Sequence, residues 1–225
     1  MNCKKSMQQK FVVFDMDGVI IDSERLIIRC WEKIAPTHGM ENVREMCVRC
    51  IGINRRETNR MFQEHYGSRV NIEEVRSEME ALFRQECETN GVPPKPYAKE
   101  LLAYLKKQGY HLGLASSTDQ RIIRQELGQI GLLDYFEVVI GGDMIQRGKP
   151  QPDIFLEACR QLGADPQKTY VVEDSINGIR AAHAAGTIPL MVPDLLTPPE
   201  EICAMCYRIF QDLEAVKKFF AEEVN

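Results

Sequence analysis

The residues Phe11-Val12-Val13-Phe14-Asp15-Met16-Asp17-Gly18 constrain the fold of this chain more than any other stretch. Four apolar residues run straight into two carboxylates one residue apart, and a second apolar triplet, Val19-Ile20-Ile21, follows the glycine. An unbroken apolar run predicts a strand covered on both faces, as in the middle of a parallel sheet. Asp15 and Asp17 then stand at its carboxyl end, where open α/β sheets place their chemistry. A polar loop with a glycine turn is the competing reading, but turns seldom pair so apolar a strand with two carboxylates.

Beyond Asp22 the period changes to that of a helix. Leu26, Ile27, Cys30, Trp31 and Ile34 recur on one face, with Asp22 or Ser23 as the expected cap. Pro36 to Gly39 breaks this helix, and further helices are predicted over Val43–Cys50, Arg55–Tyr66 and Ile72–Glu88. No strand pattern occurs between Ser23 and Asn90, and Gly91-Val92-Pro93-Pro94-Lys95-Pro96 follows as a stiff linker. From Ala98 onward helix and strand alternate, with strands expected at His111–Ala115, Phe136–Ile140, Thr169–Val172 and Ile188–Val192, and a short edge strand near Arg208–Phe210. That order predicts an α/β fold: a Rossmann-like parallel sheet core with helices on both faces. Residues 1–21 and 94–225 form this core, and residues 22–93 are a helical-bundle cap inserted after the first strand. An insertion leaving just beyond the carboxylates sits over them, so a lid is expected.

Composition narrows the partners. A net charge of −5 over 225 residues argues against a nucleic-acid binder, which needs a basic face. No apolar run is long enough for a membrane span, and Met1 to Lys10 lacks the apolar region of a secretory signal. A cytoplasmic monomer without membrane partners is the default expectation. Two Cys-x-x-Cys pairs, at Cys47/Cys50 and Cys203/Cys206, invite a zinc reading. Both lie in helical pattern without knuckle turns, which favours small apolar residues on helix faces.

Each strand end delivers a polar group. The first gives Asp15 and Asp17, the second Ser116, Ser117 and Thr118, the fourth Glu173, Asp174 and Ser175, and Lys149-Pro150 follows the third. Singly these read as helix caps, a solvated lysine and acidic first-turn residues. Together, in order, they suit phosphoryl transfer. A phosphate monoester is a dianion that carboxylates alone would repel, and Mg²⁺ removes that conflict. Asp15, the backbone carbonyl of Asp17, and Asp174 offer oxygen ligands for it. Ser116 and Ser117 can bind phosphoryl oxygens beside a helix N-terminus, and Lys149 supplies a point charge.

The set Asp15-Met16-Asp17-Gly18-Val19, Ser116, Lys149-Pro150 and Glu173-Asp174-Ser175 resembles the haloacid dehalogenase superfamily, from Lys10 to about Val192. Gly148–Phe155 and Val172–Ile179 resemble its sugar-phosphatase and β-phosphoglucomutase branch. The resemblance implies that Asp15 is a nucleophile forming an aspartyl-phosphate and that Asp17 is the acid and base for the alcohol and the water. It also implies that Asp174 ligates the metal, with Glu173 a ligand or just behind it. Asp17 discriminates within the family: halide displacement needs no acid there, whereas a leaving alkoxide does.

The expected activity is therefore that of a Mg²⁺-dependent phosphatase acting on a small phosphorylated metabolite, a sugar or polyol phosphate. A β-phosphoglucomutase-like phosphotransferase is the alternative, and a non-catalytic binding module the third reading. Those mutases resemble the chain in Gly52-Ile53-Asn54-Arg55, where Asn54 and Arg55 would meet substrate; a solvated Arg55 starting a helix is the other possibility. The mutases carry a histidine at the position matching Ile27, and isoleucine cannot relay a proton.

Overall fold

The computed structural model describes residues 10–51 and 55–223. Among these, strands β1 (Lys10–Phe14), β2 (Tyr110–Ala115), β3 (Val138–Ile140), β4 (Thr169–Glu173), β5 (Ile188–Met191) and β6 (Arg208–Ile209) form one parallel sheet in the order β3-β2-β1-β4-β5-β6. The strand order reverses at β1, which lies between β2 and β4, so its carboxyl end opens at the crevice where such sheets bind ligands.

Both faces of β1 are buried, and its alternation divides the core. Val12 and Phe14 belong to a large cluster with Leu112, Leu114, Leu101, Leu105 and Phe220. Helices α5 (Ala98–Lys107) and α10 (Leu213–Glu223) cover that side. Val13 points the other way, into Phe155, Ala158, Val171 and Ala181 beneath α7 (Asp153–Leu162) and α8 (Ile176–Ala184). The first strand thus has no wet face, which is why its sequence lacks a polar alternate.

Four helices, α1 (Ser23–Ile34), α2 (Val43–Arg49), α3 (Arg55–Tyr66) and α4 (Ile72–Asn90), occupy the stretch after β1, with no strand among its described residues. Trp31 of α1 packs on Phe62 of α3 with centroids 4.8 Å apart. The Arg76 guanidinium of α4 lies over Trp31 at 5.5 Å, and its Nε donates to Asn59 Oδ1 at 2.6 Å. Cys47 and Cys50 are buried in this helical packing, and neither belongs to a potential metal cluster among the described residues.

The two chain crossings into this block run side by side. Asp22 N donates to Pro93 O at 2.8 Å and Lys95 N to Ile20 O at 2.9 Å, around an antiparallel bridge between Ile21 and Pro94. The Asp194 carboxylate, in the loop after β5, fixes both crossings: its Oδ1 accepts from Arg25 and Lys95, each at 2.5 Å.

Two local details depart from the sequence pattern. Neither Asp22 nor Ser23 caps α1: Asp22 accepts from Arg25, and the Ser23 hydroxyl turns to Asp17. Strand β3 begins at Val138 rather than Phe136, because Leu133–Tyr135 forms one 3₁₀ turn and ladder pairing starts only where Glu137 N reaches Leu112 O. No helix among the described residues is long and apolar enough to cross a membrane.

Helix α6 (Gln120–Gln129) and α8 both start directly after strand ends. Helix α8 approaches so closely that a Cβ on Gly178 would stand 1.8 Å from Glu173 Cδ. Helix propensity alone favours alanine there by about 1 kcal/mol. The overlap outweighs it, since overpacking costs about 1–3 kcal/mol even where side chains can shift. Gly178→Ala is expected to lower the melting midpoint in calorimetry by about 5 °C; a raised midpoint would show that the contact yields freely.

Candidate active site

At the carboxyl end of β1 the chain must turn sharply, and Gly18 makes this possible. Its φ of +79° suits glycine, and a Cβ there would meet Asp174 Oδ2 at 2.1 Å. The backbone of the first strand's exit thereby lies against the carboxylate delivered by the end of β4.

Asp15 is buried, and its Oδ1 accepts from the Lys149 ammonium. Lys149 Nζ also donates to Glu173 Oε1 at 2.6 Å and Ala115 O at 3.3 Å, and lies 5.0 Å from the centre of the Phe155 ring. Glu173 is fully buried, and its second oxygen accepts from Asp174 N at 2.9 Å, Ser175 N at 3.0 Å and Ser175 Oγ at 3.0 Å. Both Glu173 oxygens are therefore engaged by its own chain. It orients the lysine and the start of α8.

Asp17 faces a different set of partners. Ser23 Oγ donates to its Oδ1 at 2.6 Å, while Thr118 Oγ1 at 3.1 Å and Ser116 Oγ at 3.3 Å donate to Oδ2. All three are hydroxyls, which can donate to a carboxylate or accept from a carboxylic acid. Ser116 is buried, and its Oγ also accepts from Thr118 N at 3.1 Å. Ser117 is exposed and lines a cavity with Lys149 and Asp174.

Carboxylate oxygens of Asp15, Glu173 and Asp174 come within 4.8 Å of one another. Burial, opposed by Lys149 and reinforced by Glu173 and Asp17, pushes the Asp15 carboxyl up to about 8. Burial followed by the charges of Glu173 and Asp15 pushes Asp174 well above the ordinary carboxylate range. For Lys149 burial pulls downward, but the two carboxylates outweigh it and keep the ammonium charged. One lysine is too little positive charge for three carboxylates, so the donor set is oxygen-rich, buried and short of cations. That is the chemistry a hard divalent ion fits.

Glu24, in the first turn of α1, also reaches this edge. Its carboxylate lies within 4.8 Å of those of Asp174 and Asp194, and burial, then Asp194 and Asp17, raises it to about 7. In the sequence it reads as an ordinary acidic first-turn residue, and only the crossing geometry shows where it points. Asn54 and the Arg55 side chain lie outside the described residues. His38 and His111 pair with Glu78 and Glu137, each at 2.8 Å, away from the site.

A Thermotoga maritima protein named phosphorylated carbohydrates phosphatase is 32% identical over 78% of this chain and 81% of its own length. A β-phosphoglucomutase of Bacillus subtilis is 30% identical over 79% and 80%. A crystal structure of a Deinococcus radiodurans hydrolase superposes with a TM-score of 0.83 over 95% of this chain and 96% of that one; at 23% identity it speaks for the fold. The model of the haloacid dehalogenase-like hydrolases matches residues 12–192, from the first strand to the end of the fifth. That span contains the ends of β1, β2 and β4 and Lys149, and the chain belongs to the haloacid dehalogenase-like hydrolase family.

Proposed function

We propose that this protein is a Mg²⁺-dependent phosphatase that hydrolyses a small phosphorylated metabolite through an aspartyl-phosphate on Asp15. The observation that carries the proposal is the pairing of Asp15 with Lys149 while Asp17, two residues on, sits among three hydroxyls. One carboxylate is held beside a cation as a nucleophile, and the other is supplied with partners for both of its protonation states.

Mg²⁺ would be held by Asp15, Asp174 and the backbone carbonyl of Asp17, with Glu173 orienting Lys149 behind them. Bound there, it would offset the charge shared between the carboxylates and the phosphoryl group. Lys149 holds Asp15 Oδ1, which leaves Oδ2 to attack phosphorus in line. The new bond joins Oδ2 to phosphorus, and the bond from phosphorus to the alcohol oxygen breaks. Protonated Asp17 gives its proton to that leaving oxygen. The resulting Asp17 carboxylate then takes a proton from water, whose oxygen attacks phosphorus and releases inorganic phosphate and free Asp15. Ser117 and Lys149 line the cavity where phosphoryl oxygens would lie. The helical block over this edge acts as the cap, hinged at the paired crossings and tied by Asp194.

Sugar or polyol phosphates are the proposed substrates, supported by the likeness to the Thermotoga maritima phosphatase of phosphorylated carbohydrates. The phosphotransferase reading has the Bacillus subtilis mutase in its favour. Against it stands Ile27, an apolar residue lining a cavity within the helical block. With β-glucose 1-phosphate the expected products are glucose and phosphate. Glucose 6-phosphate formed without net phosphate release would establish the mutase instead.

Asp15→Asn is expected to lower turnover by roughly four orders of magnitude or more while leaving the melting curve cooperative; turnover near the parent level would refute covalent catalysis. Chelation with EDTA should stop phosphate release, and added Mg²⁺ should restore it. Because a cation relieves repulsion among folded-state carboxylates, Mg²⁺ should also raise the melting midpoint of the unliganded protein. A midpoint indifferent to millimolar Mg²⁺ would remove the cation from this site.

A further inference from the structure

A second group of carboxylates stands beside the catalytic pair. Glu24 in the first turn of α1, Asp174 after β4 and Asp194 in the loop after β5 each bring an oxygen to within 4.8 Å of the other two. Positive charge reaches this group on one side only. Asp194 Oδ1 accepts from both Arg25 and Lys95, whereas Oδ2, on a side chain only 3% exposed, has no hydrogen-bond partner. Among the described residues no hydrogen bond or ion pair reaches the carboxylate of Glu24 or of Asp174. Lys149, the cation of the catalytic edge, is committed to Asp15 and Glu173.

A buried carboxylate oxygen without a donor is costly, and two like charges beside it add repulsion. A water molecule has two protons to offer three carboxylates, and it brings no charge. A divalent cation satisfies all three at once. A donor set made of oxygen alone, without histidine or cysteine, selects a hard one. We propose that Glu24, Asp174 and Asp194 form a second cation site, for a hard divalent ion such as Mg²⁺ or Ca²⁺, next to the catalytic one. Asp174 has two oxygens and bridges the two sites. What sets the second site apart is what it joins. Asp15, Asp17 and Asp174 all belong to the core, whereas Glu24 comes from the helical block and Asp194 already grips both crossings. The ion ties the first turn of α1 to the core, so the hold on the helical block depends on cation concentration. The inference shares Asp174 with the phosphatase reading but does not depend on turnover.

The test titrates Mn²⁺, a hard divalent probe that can be counted by electron paramagnetic resonance, into the metal-free protein. The parent chain is expected to take up two ions. Glu24→Gln keeps the side-chain volume and removes the charge; it should retain one ion at the parent's affinity and bind the second about tenfold or more weakly. Asp15→Asn, which alters the catalytic site alone, should keep the ion held by Glu24. Without metal, Glu24→Gln relieves a repulsion, so its melting midpoint should equal or exceed the parent's, which separates a lost ion from a lost fold. Its rise on adding Mn²⁺ should then be smaller than the parent's. Fewer than two ions on the parent, or an undiminished second ion on Glu24→Gln, would overturn the inference, as would a Glu24→Gln chain less stable than the parent without metal. A single ion on the parent, with phosphate release intact, leaves the phosphatase reading standing; no ion at all removes the cation from both sites.

Discussion

Lys149 carries one positive charge into a place where water has been removed, between the Asp15 and Glu173 carboxylates. Its side chain is buried like theirs, and its charge also lies near the Phe155 ring. Buried ion pairs contribute little net stability, because desolvation offsets most of the attraction. Losing one partner is another matter, costing about 3–5 kcal/mol by leaving a buried charge unmatched. The arrangement is thus a constraint on the rest of the edge. Glu173 must keep its other oxygen on the start of α8, Gly178 must stay without a side chain, and Asp15 must keep one oxygen turned to the lysine.

The sheet was legible because its signals were local. The apolar runs of β1 and β4 and the alternation of helix and strand after Ala98 imply parallel order without any tertiary information. The exceptions are equally physical. Phe136 is as apolar as a strand residue, yet it follows a 3₁₀ turn and packs edge-on against Phe14 instead of entering the ladder. Ser23 has the identity of a helix cap, but Asp17, six residues earlier, offers its hydroxyl a charged acceptor.

Legibility of the site followed the same line. Asp15, Asp17, Ser116, Lys149, Glu173 and Asp174 stand at strand ends or in the loops that follow them, where the chain pattern alone announces them. Thr118 stands in the hydroxyl run after β2 and Ser23 at the expected cap of α1, but their bonds to Asp17, like the position of Glu24, depend on how the exit from β1 folds back over the sheet. Asp194 carried no signal at all. Nothing in a lone aspartate after Pro193 distinguishes a buried tie from a surface charge, and only the position of its loop beside Arg25 and Lys95 separates the two.

The sheet order also fixes when this site can come into being. Strand β1 is made first, but its ladder partners β2 and β4 come from residues 110–115 and 169–173. Lys149 follows Asp15 by 134 residues. The four helices between Ser23 and Asn90 pack against one another within one continuous stretch of chain, so their contacts can form before β2 and β4 are made. The nascent protein therefore holds an apolar strand, tethered to a folded helical block, with neither neighbour yet available. The interval between translation of Phe14 and of Glu173 is set by the helical stretch and the later strands that lie between them in the chain rather than by the strength of any contact in the finished fold.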